Sequence, residues 1–518
     1  MAKRSAPVVR LPAIELVAPL AMLALLATPF AHADVKVQPG IDVRETYSDN
    51  LTLSSDENTR GQFVTEVSPT VAAIINAPRL KLLARATGHL YAYSGERQAN
   101  TNSSSLNLLG TAKATVVDDL LYADGSVNRS QQSISAFGPQ QNGYSDANSD
   151  TVTTYSASPY LVHKFGAFAT GQLRYTHDGV KAERNLLQNS TGDSLAMNLN
   201  SGPSFSRFGW GVQAYHQQLS DSQVQSKTDT ALGTLRYNVR NNLSIYTTGG
   251  YDKYDYGDFG GVTQGKNYSG GFTWTPSQRT SIDASAGRRY FGKTYSLAAS
   301  HRSRNTVFTS SYHDDVTTAR AQFLQPGSVQ TASLLDSSFA AAFPDPVERR
   351  QAIDAYILAN GLPASVANNI NYFSNRLFLQ KQFQAAVVVN GSRSTAVLSV
   401  NNTKRLALTS AVADNGLPGT AVPNLNDNTH QRALTMTLNY RLSPRSAATL
   451  TATKSRSESL DTGIDSSQTL VSFIVTRQFD RKLSGSVEVR RNQGEGFFGS
   501  GGGRYRENAV TASLSYHL

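Results

Sequence analysis

Side chains of alternating character run through most of the chain, and this constrains the fold more than any other feature. In the C-terminal segment Val510, Ala512, Leu514, Tyr516 and Leu518 are apolar, and Thr511, Ser513, Ser515 and His517 between them are polar. Successive Cβ atoms of an extended backbone point to opposite faces, so such a segment is a strand with one apolar and one polar face. The same reading fits Ala231, Gly233, Leu235, Tyr237 and Val239 against Thr234, Arg236, Asn238 and Arg240. It fits Leu434, Met436, Leu438, Tyr440 and Leu442 against Thr435, Thr437, Asn439 and Arg441. Further copies run through Leu80–Leu90, Ile282–Ala286 and Leu483–Val489.

A two-sheet soluble sandwich also alternates, but three details favour a barrel in a membrane. The segments run about 10–14 residues, longer than the ~5–6 of soluble strands and matched to a tilted spanning strand. Connections alternate between short turns (Ala77-Pro78-Arg79, Asp118-Asp119, Gly166-Ala167, Ser443-Pro444-Arg445) and long polar loops (Gly95–Ser104, Ser133–Ser149, Asn492–Arg504). Aromatic residues near strand ends, among them Tyr251, Tyr254, Tyr256, Phe272, Trp274 and Tyr290, suit interfacial girdles. The expected fold is an all-β transmembrane antiparallel β-barrel of about 22 strands, within a range of about 18–26.

The mean hydropathy of −0.34 excludes only helical spans, because a barrel shows lipid every second residue and water elsewhere. With no cysteine among 518 residues there is no disulfide scaffold, thiol nucleophile or Cys-ligated metal. At the N-terminus Lys3, Arg4 and Arg10 precede an apolar run from Val17 to Phe30, and Ala31-His32-Ala33 forms an A-x-A cleavage site. This is the three-part secretory signal, too short to cross a ~30 Å hydrocarbon core, so residues 1–33 are expected to be removed and 34–518 to form the barrel.

Residues 319–372 break the alternation. Pro344-Asp345-Pro346-Val347-Glu348 opens a helix-like run ended by Gly361 and Pro363. Strand parity places this insertion on the extracellular side, either as a surface loop with short helices or as an inward-folded constriction over the lumen.

Several phrases resemble the outer-membrane barrel family associated with PEP-CTERM/exosortase systems. They are Val43-Arg44-Glu45-Thr46-Tyr47-Ser48-Asp49-Asn50, Phe63 with Glu66-Val67-Ser68-Pro69, and Val117-Asp118-Asp119-Leu120. Gln131-Gln132-Ser133-Ile134-Ser135-Ala136-Phe137-Gly138-Pro139 and Ser158-Pro159-Tyr160 leading to Phe165-Gly166 complete the set. The match covers roughly residues 37–210 and leaves the 319–372 insertion outside it. The resemblance implies an outer-membrane protein of a Gram-negative bacterium that makes extracellular polysaccharide, and it carries over no catalytic residue. The chain ends in a strand, not in a PEP-CTERM tail, so it looks like system machinery and not a sorted substrate.

By parity Arg44, Arg85, Arg174, Arg236, Arg289, Arg441 and Arg490 fall on the polar, lumen-facing set, as do Tyr91 and Tyr93. On the lipid face each arginine would cost about 2–4 kcal/mol near the midplane. These nine are the candidate lumen-lining residues. The arginines either focus positive potential toward anions such as acidic glycans, with the tyrosines stacking on sugar rings, or pair with lumen acids such as Asp42, Asp178, Asp283 and Glu488. Net charge is +10, and loss of Lys3, Arg4, Arg10 and Glu15 with the signal leaves 10 − 2 = +8, which leans slightly toward an anion pathway.

The histidines show no H-E-x-x-H or comparable spacing, and the Gly501–Gly503 run lacks the lysine of a phosphate cradle. No catalytic, metal or cofactor set emerges. The leading function is a porin-like channel or conduit linked to exopolysaccharide export. The alternative is a non-conducting structural barrel whose outer loops bind polysaccharide or surface proteins, and an enzyme ranks third. Expected partners are outer-membrane lipid and lipopolysaccharide, an anionic exopolysaccharide, and the barrel-assembly machinery through the C-terminal strand. Nucleic acid is not among them.

Overall fold

The computed structural model describes residues 34–55, 59–98, 101–139, 143–184, 189–221, 225–257, 261–324, 372–374, 376–409, 425–498 and 501–517. The expected signal segment 1–33 and the helix-like run 344–361 lie outside the described residues.

The chain forms a closed antiparallel barrel of 22 strands. The first seven are β1 (Asp34–Ser48), β2 (Gln62–Asn76), β3 (Leu80–Tyr93), β4 (Ser104–Val117), β5 (Leu121–Ser133), β6 (Ser149–Phe165) and β7 (Ala169–Ala182). Next come β8 (Ser190–Ser201), β9 (Phe208–Asp221), β10 (Gln225–Arg240), β11 (Leu243–Asp255), β12 (Val262–Ser277), β13 (Thr280–Arg289), β14 (Gly292–Arg302) and β15 (Thr306–Thr318). A five-residue helix, α1 (Ala319–Phe323), follows β15. The ring then runs through β16 (Leu377–Asn390), β17 (Ser394–Ala407), β18 (Thr429–Ser443), β19 (Ser446–Ser459), β20 (Asp465–Gln478), β21 (Leu483–Phe498) and β22 (Gly501–His517).

Each strand pairs with its neighbours in sequence, and β1 pairs with β22 to close the ring, Arg44 opposite Ser513. Closure leaves no edge, so the backbone groups of the wall pair in ladders where lipid offers none, with breaks where Pro69 and Pro159, which have no N–H, interrupt the β2–β3 and β6–β7 pairings. The apolar set points out. Leu235 is 64% exposed, Phe208 66% and Leu514 55%, figures that in water would mark an unstable surface and in lipid mark the belt. Two aromatic girdles bound it. Phe165, Phe168, Phe208, Trp210 and Trp274 lie at the short-turn end, and Tyr47, Phe63, Tyr175, Tyr251, Tyr268 and Tyr295 lie toward the long-loop end.

Four register shifts sit beside short turns, at Thr115/Val117, Asn238/Arg240, Trp274/Ser277 and Arg441/Ser443. An extra residue there sharpens the local twist and lets the chain reverse. Gly166 turns the chain at φ +57°, a conformation that costs a residue with a Cβ about 1 kcal/mol or more.

Two expectations are corrected. The segment 492–504 is not a polar loop: β21 and β22 continue their ladder through Glu495 opposite Arg504 to Phe498 opposite Gly501. The Gly501–Gly503 run is therefore strand. Tyr254 and Tyr256 are not girdle residues. Both are buried, and Tyr256 Oη lies 2.8 Å from Tyr290 Oη, so the trio packs as one cluster while Tyr251, Phe272 and Trp274 face out.

Candidate functional site

All nine candidate lumen residues lie on the inward parity of their strands. They do not form one site. Arg44, Tyr91, Tyr93 and Arg490 gather toward the long-loop end; Arg85, Arg174, Arg236 and Arg441 line the remaining lumen; Arg289 stands apart.

At the long-loop end a cavity of about 310 Å³ is lined by Arg44, Glu66, His89, Tyr91, Tyr144 and Arg490, among others. Strand register creates it: Arg44 is directly opposite Glu66, and Glu66 is opposite Tyr91. His89 Nδ1 lies 2.7 Å from Glu66 Oε1, its Nε2 lies 3.1 Å from Asn107 Nδ2, and its ring runs parallel to Tyr91. Arg490 donates to Glu507, which is fully buried and also accepts from Ser48 Oγ at 2.9 Å. Tyr93 donates to the carbonyl of Asn102. Tyr144, from the β5–β6 loop, roofs the cavity with its hydroxyl 2.8 Å from Thr46 Oγ1. Burial pushes the Tyr144 hydroxyl up from its ordinary pKa, which keeps it protonated.

Above this cavity the loops cross the lumen. Phe137 and Ala136 of the β5–β6 loop pack with Tyr372 and Leu425, which approach β16 and β18, and Phe373 N donates to Ile134 O at 3.1 Å. Helix α1 reaches farther. Ala319 and Phe323 pack on Val152 and Val180 of β6 and β7, across the barrel from the strand that leads into the helix. Arg320 fixes it there: its guanidinium pairs with Asp178 on β7, and its Nε donates to Ser190 Oγ on β8 at 2.8 Å. Gly192 makes the berth, since a Cβ there would stand 2.9 Å from the guanidinium. Of the two readings of the 319–372 insertion, the described ends (319–324 and 372–374) follow the inward one. Arg405, only 2% exposed, bonds Gln322 and Gln380 beneath the Tyr372 ring.

At the opposite, short-turn mouth a second cavity of about 420 Å³ is lined by Arg79, Lys81, Lys113, Thr115, Tyr122 and Tyr160, among others. Lys81 is directly opposite Lys113, and Thr115 is opposite Tyr122. The rings of Tyr122 and Tyr160 stack 5.3 Å apart, and Arg174 lies 3.8 Å over Tyr160 while bonding Asp124 at 2.9 Å. Stacked rings beside several cations suit a sugar face carrying an acidic group.

Among the described residues no ion pair joins the candidate arginines to Asp42, Asp178, Asp283 or Glu488, although Glu488 lines the same cavity as Arg44 and Arg490. Arg174 pairs with Asp124, Arg289 with Asp252 and Asp315, and Arg490 with Glu507. Asp178 pairs with Arg320, and Asp283 accepts from Tyr246 and Thr273. Arg289 also donates to Tyr254 and is locked in place as wall structure. Arg44, Arg85 and Arg236 form no ion pair among the described residues, and their side chains are exposed to the lumen. Sequence parity also carried the signal for Lys81, Lys113, Tyr122 and Tyr160, which alternate inward like the nine. Nothing in the sequence pointed to Arg320 or Tyr144, whose partners lie across the barrel. Among the described residues no group of three His, Asp or Glu is close enough to hold a metal.

No protein-family model matches the sequence, and no curated protein matches it. Solved structures similar to the chain include the siderophore receptor PirA from Pseudomonas aeruginosa, at 11% identity over 93% of this chain and 80% of that one, with a TM-score of 0.44. The FrpB iron transporter from Neisseria meningitidis is similar at 11% identity over 93% and 82%, with a TM-score of 0.49. PirA from Acinetobacter baumannii is similar at 9% identity over 93% and 80%, with a TM-score of 0.47.

Proposed function

We propose that the chain is an outer-membrane barrel of a Gram-negative envelope that conducts anionic solutes, with an acidic exopolysaccharide as the cargo. The short-turn mouth, with Lys81 and Lys113 beside the stacked Tyr122 and Tyr160, is the observation that carries this reading. It is placed to receive a chain from the periplasmic side, and the exposed Arg85 and Arg236 extend positive potential into the lumen. The belt, the two girdles and the signal-like N-terminus support the compartment. The resemblance of residues 37–210 to exosortase-associated barrels supports the polymer.

Purified protein in planar bilayers should give anion-selective steps whose selectivity falls when Arg85, Lys113 and Arg236 all become Gln. A deletion strain that secretes its polysaccharide at the normal rate would remove the polymer while leaving the channel.

The crossing of the lumen by α1 and the β5–β6 loop favours a second reading, a structural barrel whose outer loops bind polysaccharide or surface protein. A bilayer silent for the native chain and also for Arg320→Ala would sink the conduit and leave this one.

A further inference from the structure

The outer wall carries a feature that conduction through the lumen does not use. Just beyond the apolar belt at the long-loop end, the outward positions of β16–β19 turn basic. Lys381 on β16 is directly opposite Lys404 on β17, and Lys404 is opposite His430 on β18. One step down the same strand, Arg432 is directly opposite Arg456 on β19, with Lys454 below it. Like charges directly opposite across a ladder destabilise a sheet, and here two such pairs, Lys381/Lys404 and Arg432/Arg456, stand side by side on four successive strands, with His430 opposite Glu458 beside them.

Protein carboxylates neutralise little of this. Arg432 reaches Glu458 only at 4.0 Å and Arg456 reaches Asp465 at 3.1 Å, and both arginines keep 56% of the side chain exposed. Among the described residues Lys381, Lys404 and Lys454 form no ion pair. Immediately below lie Leu398, Val400, Leu434 and Met436, all exposed on the belt. A group that satisfies this surface therefore has an apolar part lying along the belt and a multiply anionic head at the height of the cations. At the far end of the same strands the outward positions Val389, Ala396, Leu442 and Ala448 are apolar, with Arg393 and Arg445 confined to the turns beyond.

We infer that this face binds the phosphorylated headgroup of a lipid in the long-loop-side leaflet, its acyl chains packed on the belt below. Arginine side chains bridge phosphate oxygens bidentately, and each cation near a charged membrane surface adds to retention. The site lies on the outside of the wall, so it holds whether or not the lumen conducts.

The test uses the full barrel in phosphatidylcholine nanodiscs doped with lipid A, a diphosphorylated acylated disaccharide, with retained lipid read by native mass spectrometry. Lipid A should be retained over phosphatidylcholine, and the quadruple variant Lys381→Gln, Lys404→Gln, Arg432→Gln, Arg456→Gln should lower its retention by about tenfold or more. Arg432→Lys with Arg456→Lys should keep most of it, and Arg393→Gln with Arg445→Gln should keep all. Heat-modifiable gel mobility reports whether each variant is a closed barrel. Equal retention by the native chain and a folded quadruple variant would overturn the inference. Full displacement of lipid A by free pyrophosphate at matched concentration would also overturn it, since the acyl chains would then contribute nothing.

Discussion

Two sectors of the inner wall, nearly opposite each other, differ in almost every respect. On β17–β19 most inward positions are small and uncharged, and Val397, Ser399, Asn401, Thr403, Thr435, Thr437, Thr453 and Ser457 are all buried, with Arg405 near the long-loop end and Arg441 near the short-turn end as charged exceptions. Toward the short-turn end of β3–β7 they include the long, charged or aromatic Lys81, Arg85, Lys113, Tyr122 and Arg174, none of them buried, whereas Val152 and Val180 at the long-loop end of β6 and β7 lie buried under α1. A barrel wall built by one rule of alternation thus serves two purposes. Small hydroxyl residues make a surface against which chain can close, whereas long cations hold water and potential open. The open part of the lumen is the short-turn half of β3–β7, below the berth of α1, and substitutions should divide accordingly.

The largest effect is expected where the closed part is pinned. Arg320→Ala leaves Asp178 buried without its cation, and breaking one side of such a pair costs about 3–5 kcal/mol. Helix α1 should then leave its berth on β7 and β8, and single-channel conductance should rise several-fold in planar bilayers. Gly192→Val should act in the same direction by occupying the guanidinium's space. Unchanged conductance in both variants would show that α1 does not restrict the open sector, and the contrast between sectors would lose its functional meaning.

A smaller effect should follow on the open side. Tyr122→Ala removes one ring of the stacked pair, worth about 0.5–1.5 kcal/mol, and should weaken block of the current by an acidic oligosaccharide about two- to tenfold. Arg174→Gln should weaken it as well, since that side chain lies over Tyr160. Block of equal strength in both would place the glycan contact elsewhere in the lumen.

The contrast also explains what could be read in advance. Parity alone assigned Arg85 and Leu235 to opposite faces, because the period of a strand fixes direction without reference to any other strand. Strand number followed from counting turns. The partners of the charges did not follow: Arg490 meets Glu507 from the neighbouring strand, while Arg320 meets Asp178 from the other side of the ring. Alternation carries no information about register or about what crosses a lumen. The segment 492–504 departs from its loop-like sequence for a related reason. Its glycines and charges have the composition of a loop, yet in an outward-rising hairpin Arg504 and Glu495 are simply wall residues above the lipid. Tyr254 and Tyr256 show the same limit, since an aromatic near a strand end belongs to a girdle only if its parity is outward.

The smallest expected effect tests the covered sector itself. Thr437 is fully buried on the inward face of β18, opposite Val397 on one side and Thr451 on the other. Thr437→Val keeps the branched shape, exchanges a hydroxyl for a methyl and preserves strand propensity. If this sector is closed wall, neither conductance nor anion selectivity should change, and the heat required to unfold the barrel in a gel assay should shift by no more than a few degrees. Thr111, inward on the open side and opposite Leu83 and Ser126, provides the matched control. Thr111→Val there exchanges a hydroxyl for a methyl on a wetted wall and should lower conductance slightly. A larger change at Thr437 than at Thr111 would mean that the ion path runs along β17–β19 and that the sectors have been assigned the wrong way round.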